Sequence, residues 1–321
     1  MVIRSRPRAN PVRIGWLCNT REQAFQGKAA LDAFPIMEKQ DVKIACAAAE
    51  TDWSDRDVIV CDEIHHGLAP SWSAQIATCQ GARWGMTATP PTDPIQAAAL
   101  AELVGPSFVI PRERVQRNLT PAVVNWIDAT DPNLREPIDA EIDRVVKIRE
   151  RYWSGDAGQL WGNVAWQVVV EMGIIANAAR NAAAVAAATN DRPTLVLINQ
   201  VGHAHMLAAQ IPGAKPCYSA MGAKARREVL EDFISGKCRC LVASSLCDEG
   251  FDAPNAEVLV LVSAGKSAAR TEQRTGRVLR QFQGKSHAVI HDFLDLYHPL
   301  PAKHARLRGE LYQKLGYTIL P

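Results

Sequence analysis

The sequence predicts an α/β protein of two tandem domains, each with a parallel sheet covered by helices. Short apolar runs of strand length alternate with longer amphipathic segments, the order expected of such sheets. The alternation occurs twice, over 12–103 and over 193–293. A length of 321 residues fits two domains of ~100–200 residues each. Apolar residues make up 47% and charged residues 22%, so sizeable cores can form, and disorder, collagen and a coiled-coil rod are excluded.

In the first domain, 1–112, the runs VRIGWLC (12–18), VKIACAA (42–48), DVIVCDE (57–63) and RWGMTAT (83–89) read as buried strands. The segments around 20–33, 71–79 and 94–103 read as the helices between them, which makes the strands parallel. The second domain, 113–321, begins with VVNWID (123–128), lying between the two α/β series, and a helical stretch from about 138 to 189. There Ile138, Ile142, Val145 and Val146 share one helical face. ANAARNAAAVAAAT (176–189) is helix rather than low complexity, because alanine is the best helix former. PTLVLIN (193–199), CRCLVAS (238–244), EVLVLVS (257–263) and HAVIHDF (287–293) complete the strands, with helices such as 222–235 between them. No apolar run is long enough to span a membrane, and the Arg-rich opening MVIRSRPRAN leads into no secretory core, so a cytoplasmic protein is expected. The eight cysteines form no CxxC pair and read as buried thiols. A net charge of +2 does not by itself mark a nucleic-acid binder, so motifs must decide.

At the end of the strand VIVC stand Asp62, Glu63, Ile64, His65 and His66. This is the edge at which α/β sheets bind ligands. For phosphate chemistry the first carboxylate can hold Mg²⁺ through water, and the second can orient or deprotonate an attacking water. A solvated acidic turn is the plain alternative. Further along come Thr87-Ala88-Thr89-Pro90, then ASSLCDEGFDAP (243–254) and QRTGRVLR (273–280).

This ordered set resembles the superfamily 2 helicases. DEIHH is similar to their DEAH-like motif II, TATP to motif III, ASSLCDEGFDAP to motif V and QRTGRVLR to motif VI. LCNTREQA (17–24) is similar to motif Ia, and LVLINQVGHAHMLA (195–208) to the motif IV region. The tail GKSAARTEQRTGRVLRQFQGKSHAVIHDF resembles the branch of phage repair helicases, the transcription-repair helicase and restriction-enzyme motor subunits. The resemblance implies two RecA-like domains enclosing ATP with Mg²⁺, and an ATP-dependent DNA translocase or helicase. A phage-encoded copy would work in the host cytoplasm.

Residue by residue, the resemblance makes Asp62 the Mg²⁺ ligand and Glu63 the carboxylate that acts on water. Arg277 and Arg280, at i,i+3, become arginine-finger candidates one helical turn apart, and Gln273 contacts the phosphate or its water. Asp248, Glu249 and Gly250 of motif V turn to the nucleotide. Asn19, Thr20, Arg21, Ser244 and Ser245 are expected on nucleic-acid phosphates, although Thr20 and Ser244 can equally be ordinary helix N-caps. His65, His66, Thr87 and Thr89 would couple the two sites, with a buried satisfied histidine as the alternative. The motif VI segment read without its neighbours is an amphipathic basic helix. His203 and His205 have no further ligands nearby in sequence and read as structural.

The family's G-x-x-x-x-G-K-[ST] phosphate loop does not occur in the 321 residues. Gly265-Lys266-Ser267 and Gly284-Lys285-Ser286 imitate only its end, and Gly27-Lys28-Ala29 lacks the hydroxyl. The expectation is a first domain truncated at its N-terminus or split between genes, a missing strand beside the motif II strand, and a separate polypeptide carrying the loop as one possible partner. The expected nucleic acid is DNA, single-stranded or branched, with RNA left open. Two other readings remain. A catalytically inactive nucleic-acid-binding or regulatory module would lack ATPase activity, and a metal-dependent nuclease built on Asp62, Glu63, His65 and His66 would leave Arg277, Arg280 and motif V unexplained.

Overall fold

The computed structural model describes residues 11–34, 40–91, 93–110, 114, 117–218, 220–244 and 253–320. The first compact unit holds β1 (Arg13–Cys18), α1 (Arg21–Asp32), β2 (Asp41–Cys46), β3 (Val58–Asp62), α2 (Pro70–Thr78), β4 (Ala82–Met86) and α3 (Pro94–Val104). Its strands are all parallel, in the order β2-β1-β3-β4. Leu17, Trp53, Ile59, Cys61, Ile64, Trp72 and Ile76 form the core. Gly15 admits Trp53, since a Cβ there would come within 2.6 Å of the indole.

Two expectations change here. The motif II strand β3 is paired on both sides, by β1 and β4, so the place beside it is filled. Among the described residues the open edges are those of β2 and β4. For the same reason RWGMTAT is not a buried strand. It ends at Met86, and Trp84 and Met86 are 51% and 43% exposed, because an edge strand has a neighbour on one side only.

The second unit holds β5 (Ala122–Ile127), α4 (Arg135–Arg149), α5 (Ala157–Val168), α6 (Ala178–Ala188), β6 (Thr194–Leu197), α7 (Val201–Gln210), β7 (Ala214–Cys217), α8 (Ala223–Ile234), β8 (Cys240–Ala243), β9 (Val258–Leu261), α9 (Ala268–Val278), β10 (Ala288–Phe293), α10 (Pro299–Lys314) and β11 (Thr318–Ile319). They build a seven-stranded sheet in the order β11-β5-β10-β9-β6-β8-β7, in which neighbouring strands run parallel. β6, β8 and β9 are buried at every position, as unbroken apolar runs in a parallel sheet should be. VVNWID, which lies between the two series in sequence, supplies a strand of this sheet, in register with β10. The helical stretch is broken by a 3₁₀ turn at Glu150–Tyr152 and a π-helical turn at Val169–Ile175. Asn177 then caps α6 by accepting the Arg180 N–H at 3.1 Å.

Helix α10 has little apolar content, yet Pro301, Ala305, Arg308 and Tyr312 are buried at helical spacing. Arg308 binds Asp292 through Nε at 2.7 Å and Nη2 at 2.9 Å, and the Tyr312 hydroxyl donates to the same carboxylate at 2.8 Å. The seven described cysteines are buried and free of disulfides. Burial pushes the thiols of Cys18, Cys61 and Cys240 up to about 12, which makes them inert. Among the described residues no single helix is long and apolar enough to cross a membrane.

Candidate functional site

Parallel strands deliver the ends of β1, β3 and β4 to one edge of the first sheet. Asp62 closes β3, and its Oδ1 accepts the Glu63 N–H at 3.0 Å. Burial raises the Asp62 pKa above the ordinary carboxylate value, and that hydrogen bond opposes the rise. Glu63 adopts left-handed backbone angles, φ 53° and ψ 49°, a strained state for a residue with a Cβ. The reversal turns the chain into the 3₁₀ turn Ile64–His66 and sets Glu63 Oε2 3.3 Å from His65 Nδ1. Ile64 fills the space over Gly85 of β4, where a Cβ would approach it to 2.6 Å.

The same His65 Nδ1 lies 2.9 Å from Thr87 Oγ1 and 3.4 Å from Thr89 Oγ1. The Thr89 N–H donates to Thr87 Oγ1 at 3.0 Å, which fixes the loop after β4. One ring nitrogen therefore meets a carboxylate of motif II and hydroxyls of motif III. The His66 ring packs against His65 at 4.1 Å and lies 5.9 Å from Trp72.

Beside β1, Thr20 is a helix cap. Its Oγ1 accepts the Gln23 N–H at 3.2 Å, and Gln23 Oε1 in return accepts the N–H groups of Asn19 and Thr20 at 3.0 and 2.9 Å. This reciprocal capping box occupies groups that the motif Ia resemblance turns to phosphates. Arg21 starts α1, and its side chain lies outside what is described.

In the second unit Ser267 caps α9 by accepting the Arg270 N–H at 3.3 Å, so Gly265-Lys266-Ser267 opens a helix without a phosphate loop. Gln273 is half-buried and Arg277 buried on this helix. Arg280 does not lie one helical turn beyond Arg277. The helix ends at Val278, and Arg280 forms an antiparallel bridge with Leu119. The Leu279 carbonyl accepts the Thr120 N–H at 2.7 Å, and that of Arg280 accepts Thr120 Oγ1 at 3.3 Å and Lys285 Nζ at 3.1 Å. These bonds draw the chain out of the helix and leave the Arg280 side chain exposed. Lys285 also donates to Pro254 O and Ala256 O, and its burial lowers its pKa to about 8. It clamps loops instead of ending a phosphate loop.

The residues that Ser244 would cap as a helix N-terminus lie outside the described residues. Ser244 follows β8, buried, with its N–H on Cys217 O at 2.9 Å. Ser245, Asp248, Glu249 and Gly250 lie outside the described residues. His203 is buried with Nε2 2.8 Å from Asn181 Oδ1, and burial, with Arg180 nearby, lowers its pKa to about 4. His205 is exposed against Tyr218.

The sequence reading missed Arg274. Buried on α9, it donates through Nη1 to Ser263 O at 2.6 Å and through Nη2 to Asn199 Oδ1 at 3.1 Å. This ties motif VI to the loop after β6. The available signal was spacing, since an arginine three residues before Arg277 falls on the same helical face.

The family model described as the helicase conserved C-terminal domain matches residues 179–281, from α6 to just past α9. The putative helicase 22 of Sulfolobus islandicus filamentous virus is 26% identical over 253 residues, 75% of this chain and 43% of the relative. The putative DNA 3'-5' helicase Rad25 of Haloarcula marismortui is 29% identical over 232 residues, 70% of this chain and 33% of the relative. The chain thus spans less than half the length of either. Among solved structures, a variant of S. cerevisiae Dbp5 bound to RNA and ADP BeF3 has a TM-score of 0.61 at 11% identity, over 100% of this chain and 80% of that one, a likeness of fold alone. With RecA-like sheets, the ordered motifs and the match of 179–281 to the helicase conserved C-terminal domain together, the chain is similar to superfamily 2 helicases.

Proposed function

We propose that these residues serve an ATP-dependent DNA translocase or helicase. The observation that carries the reading is His65 Nδ1, which faces both Glu63 and Thr87. A single ring nitrogen cannot donate to the carboxylate and accept from the hydroxyl in the same state. A change at Glu63 as nucleotide is consumed therefore alters what Thr87 and Thr89 hold, and the loop after β4 moves with it. Asp62 suits Mg²⁺: it is a half-buried carboxylate whose ionised form burial disfavours and a divalent cation would restore. The ion would neutralise phosphate charge, Glu63 would orient water, and Arg277 and Arg280 would meet the phosphates, aided by Gln273. DNA is favoured over RNA by the name of the haloarchaeal relative and by the motif resemblance.

These 321 residues contain no G-x-x-x-x-G-K-[ST] loop, and the open edge of β4 is the position at which a strand carrying one would pair. A strand added parallel there would bring its C-terminal loop about 5 Å from the end of β4, the spacing of neighbouring strands. The test is ATP hydrolysis by the 321-residue chain with and without single-stranded DNA. Turnover should stay at background for the chain alone and rise when a GxxxxGK[ST] segment is added in trans or fused. Arg277→Ala should then cut it by about 10³. DNA-stimulated turnover by the chain alone, abolished by Glu63→Gln, would overturn the account of the missing loop. No nucleic-acid binding at low salt would overturn the translocase.

A further inference from the structure

Helices α4 and α5 form a hairpin that precedes the region matched by the helicase C-terminal family. Its tip carries aromatic rings in water: Tyr152 is 87% exposed, and Trp153 and Trp161 are 40% and 43% exposed. Water-facing rings of this size need a reason, because each leaves a large apolar area unburied. The Trp153 ring is fixed in place. Its Nε1 donates to Asp156 O at 3.0 Å, and Gly155 lies so close that a Cβ would stand 3.0 Å from the indole.

Cations surround the rings. Lys147 and Arg149 occupy the last turn of α4, and Arg151 the 3₁₀ turn after it. Glu150 and Asp156 stand among them, and the Asp156 carboxylate is engaged in capping α5 through the Gln159 N–H at 2.8 Å. Arg149 also donates to Gln167 at 2.9 Å and lines a groove of about 820 Å³ beside α4. Arg144, Trp166, Asn199 and Gln200 line it as well, and so do Glu141 and Glu171. Glu141 is neutralised by Arg144 in a two-pronged pair at 2.6 and 2.7 Å. Asn199 is the residue held by Arg274 of α9, so the groove reaches the support of motif VI.

We propose that this hairpin and its groove bind one strand of nucleic acid, with unpaired bases stacking on Tyr152 and Trp153 and phosphates against Lys147, Arg149 and Arg151. Flat rings beside guanidinium groups suit this ligand, because every base offers a π-face and every linkage a negative charge. A single strand is required, since a duplex keeps its base faces stacked inside. Pre-fixing Trp153 lowers the ordering cost of binding. The inference rests on the nucleic-acid reading above and assigns to it a hairpin outside motifs Ia, IV and V, whose groove runs to Asn199 and Gln200 of the motif IV region.

The test uses the full 321-residue chain and a labelled oligothymidylate of about 20 nucleotides, followed by fluorescence anisotropy at low salt. Tyr152→Ala combined with Arg151→Gln should weaken binding about tenfold or more with an unchanged thermal transition, as both side chains are exposed. Trp153→Phe should retain most of the affinity. An oligonucleotide bearing 5-iodouracil should crosslink to a peptide from 147–161. Wild-type affinity in the double variant, crosslinks only elsewhere, or an equal loss on blunt duplex overturns the platform while leaving the nucleic-acid reading intact. Failure of the wild-type chain to bind any single strand overturns that reading, and the platform with it.

Discussion

Gly85→Ala tests how the motif II turn is held against β4. A methyl group at this position would lie 2.6 Å from Ile64 Cγ1, 2.8 Å from Cβ and 2.9 Å from Cγ2. Two of these atoms cannot swing away, since Cβ is fixed by the backbone and Cγ2 by the stiffness of a β-branched side chain. Ile64 is buried between Glu63 and His65, so relief requires the turn to move. Overpacking of this kind costs ~1–3 kcal/mol. It outweighs the ~0.4–1 kcal/mol that Gly→Ala usually contributes by restricting the unfolded chain. Ile64→Ala alone should cost ~2–5 kcal/mol through the cavity it opens. In the Ile64→Ala background the new methyl fills that cavity, so Gly85→Ala should become neutral or stabilising, a coupling of ~1–3 kcal/mol. Urea midpoints at constant m-value for the four proteins measure it. If Gly85→Ala costs nothing in the wild type, or the same in both backgrounds, the packing argument is wrong.

His203 should make the fold acid-sensitive: its folded pKa of about 4 lies below the ordinary value of 6.5, so stability is full above pH 6.5 and falls as pH drops towards 4, by about 3 kcal/mol at ~1.4 kcal/mol per unit. His203→Gln should remove that part of the decline in urea titrations from pH 7.5 to 4.5, and parallel wild-type and variant curves would refute it. Asp292→Asn leaves the Arg308 charge buried without its carboxylate and should cost ~3–5 kcal/mol, whereas Asp292→Leu with Arg308→Met should cost far less. Calorimetry reads the difference, and equal losses would contradict it. Gln23→Ala opens the reciprocal cap of α1 and should cost ~1 kcal/mol, with Thr20→Ala adding less than its own single effect because the two share the same bonds.

The sequence by itself determined the two α/β series and the strands that carry the motifs. β6, β8 and β9 are unbroken apolar runs, and only a strand buried on both faces tolerates such a pattern. It also determined the order of DEIHH, TATP and QRTGRVLR, hence the resemblance to helicases, because the carboxylates, hydroxyls and guanidinium groups that phosphate chemistry needs are residue types read directly from the chain. Other elements carry no such local signal. β7 is four residues with a proline, acceptable only at a sheet edge, and α10 is held through Arg308 and Tyr312 by the buried Asp292 of β10, 16 and 20 residues away in sequence. The tertiary structure alone decided that β3 is flanked on both sides, that Arg280 leaves α9 for a bridge with Leu119, and that His65 stands between Glu63 and Thr87. Each depends on hydrogen bonds between residues distant in the chain, which spacing along a single segment does not encode.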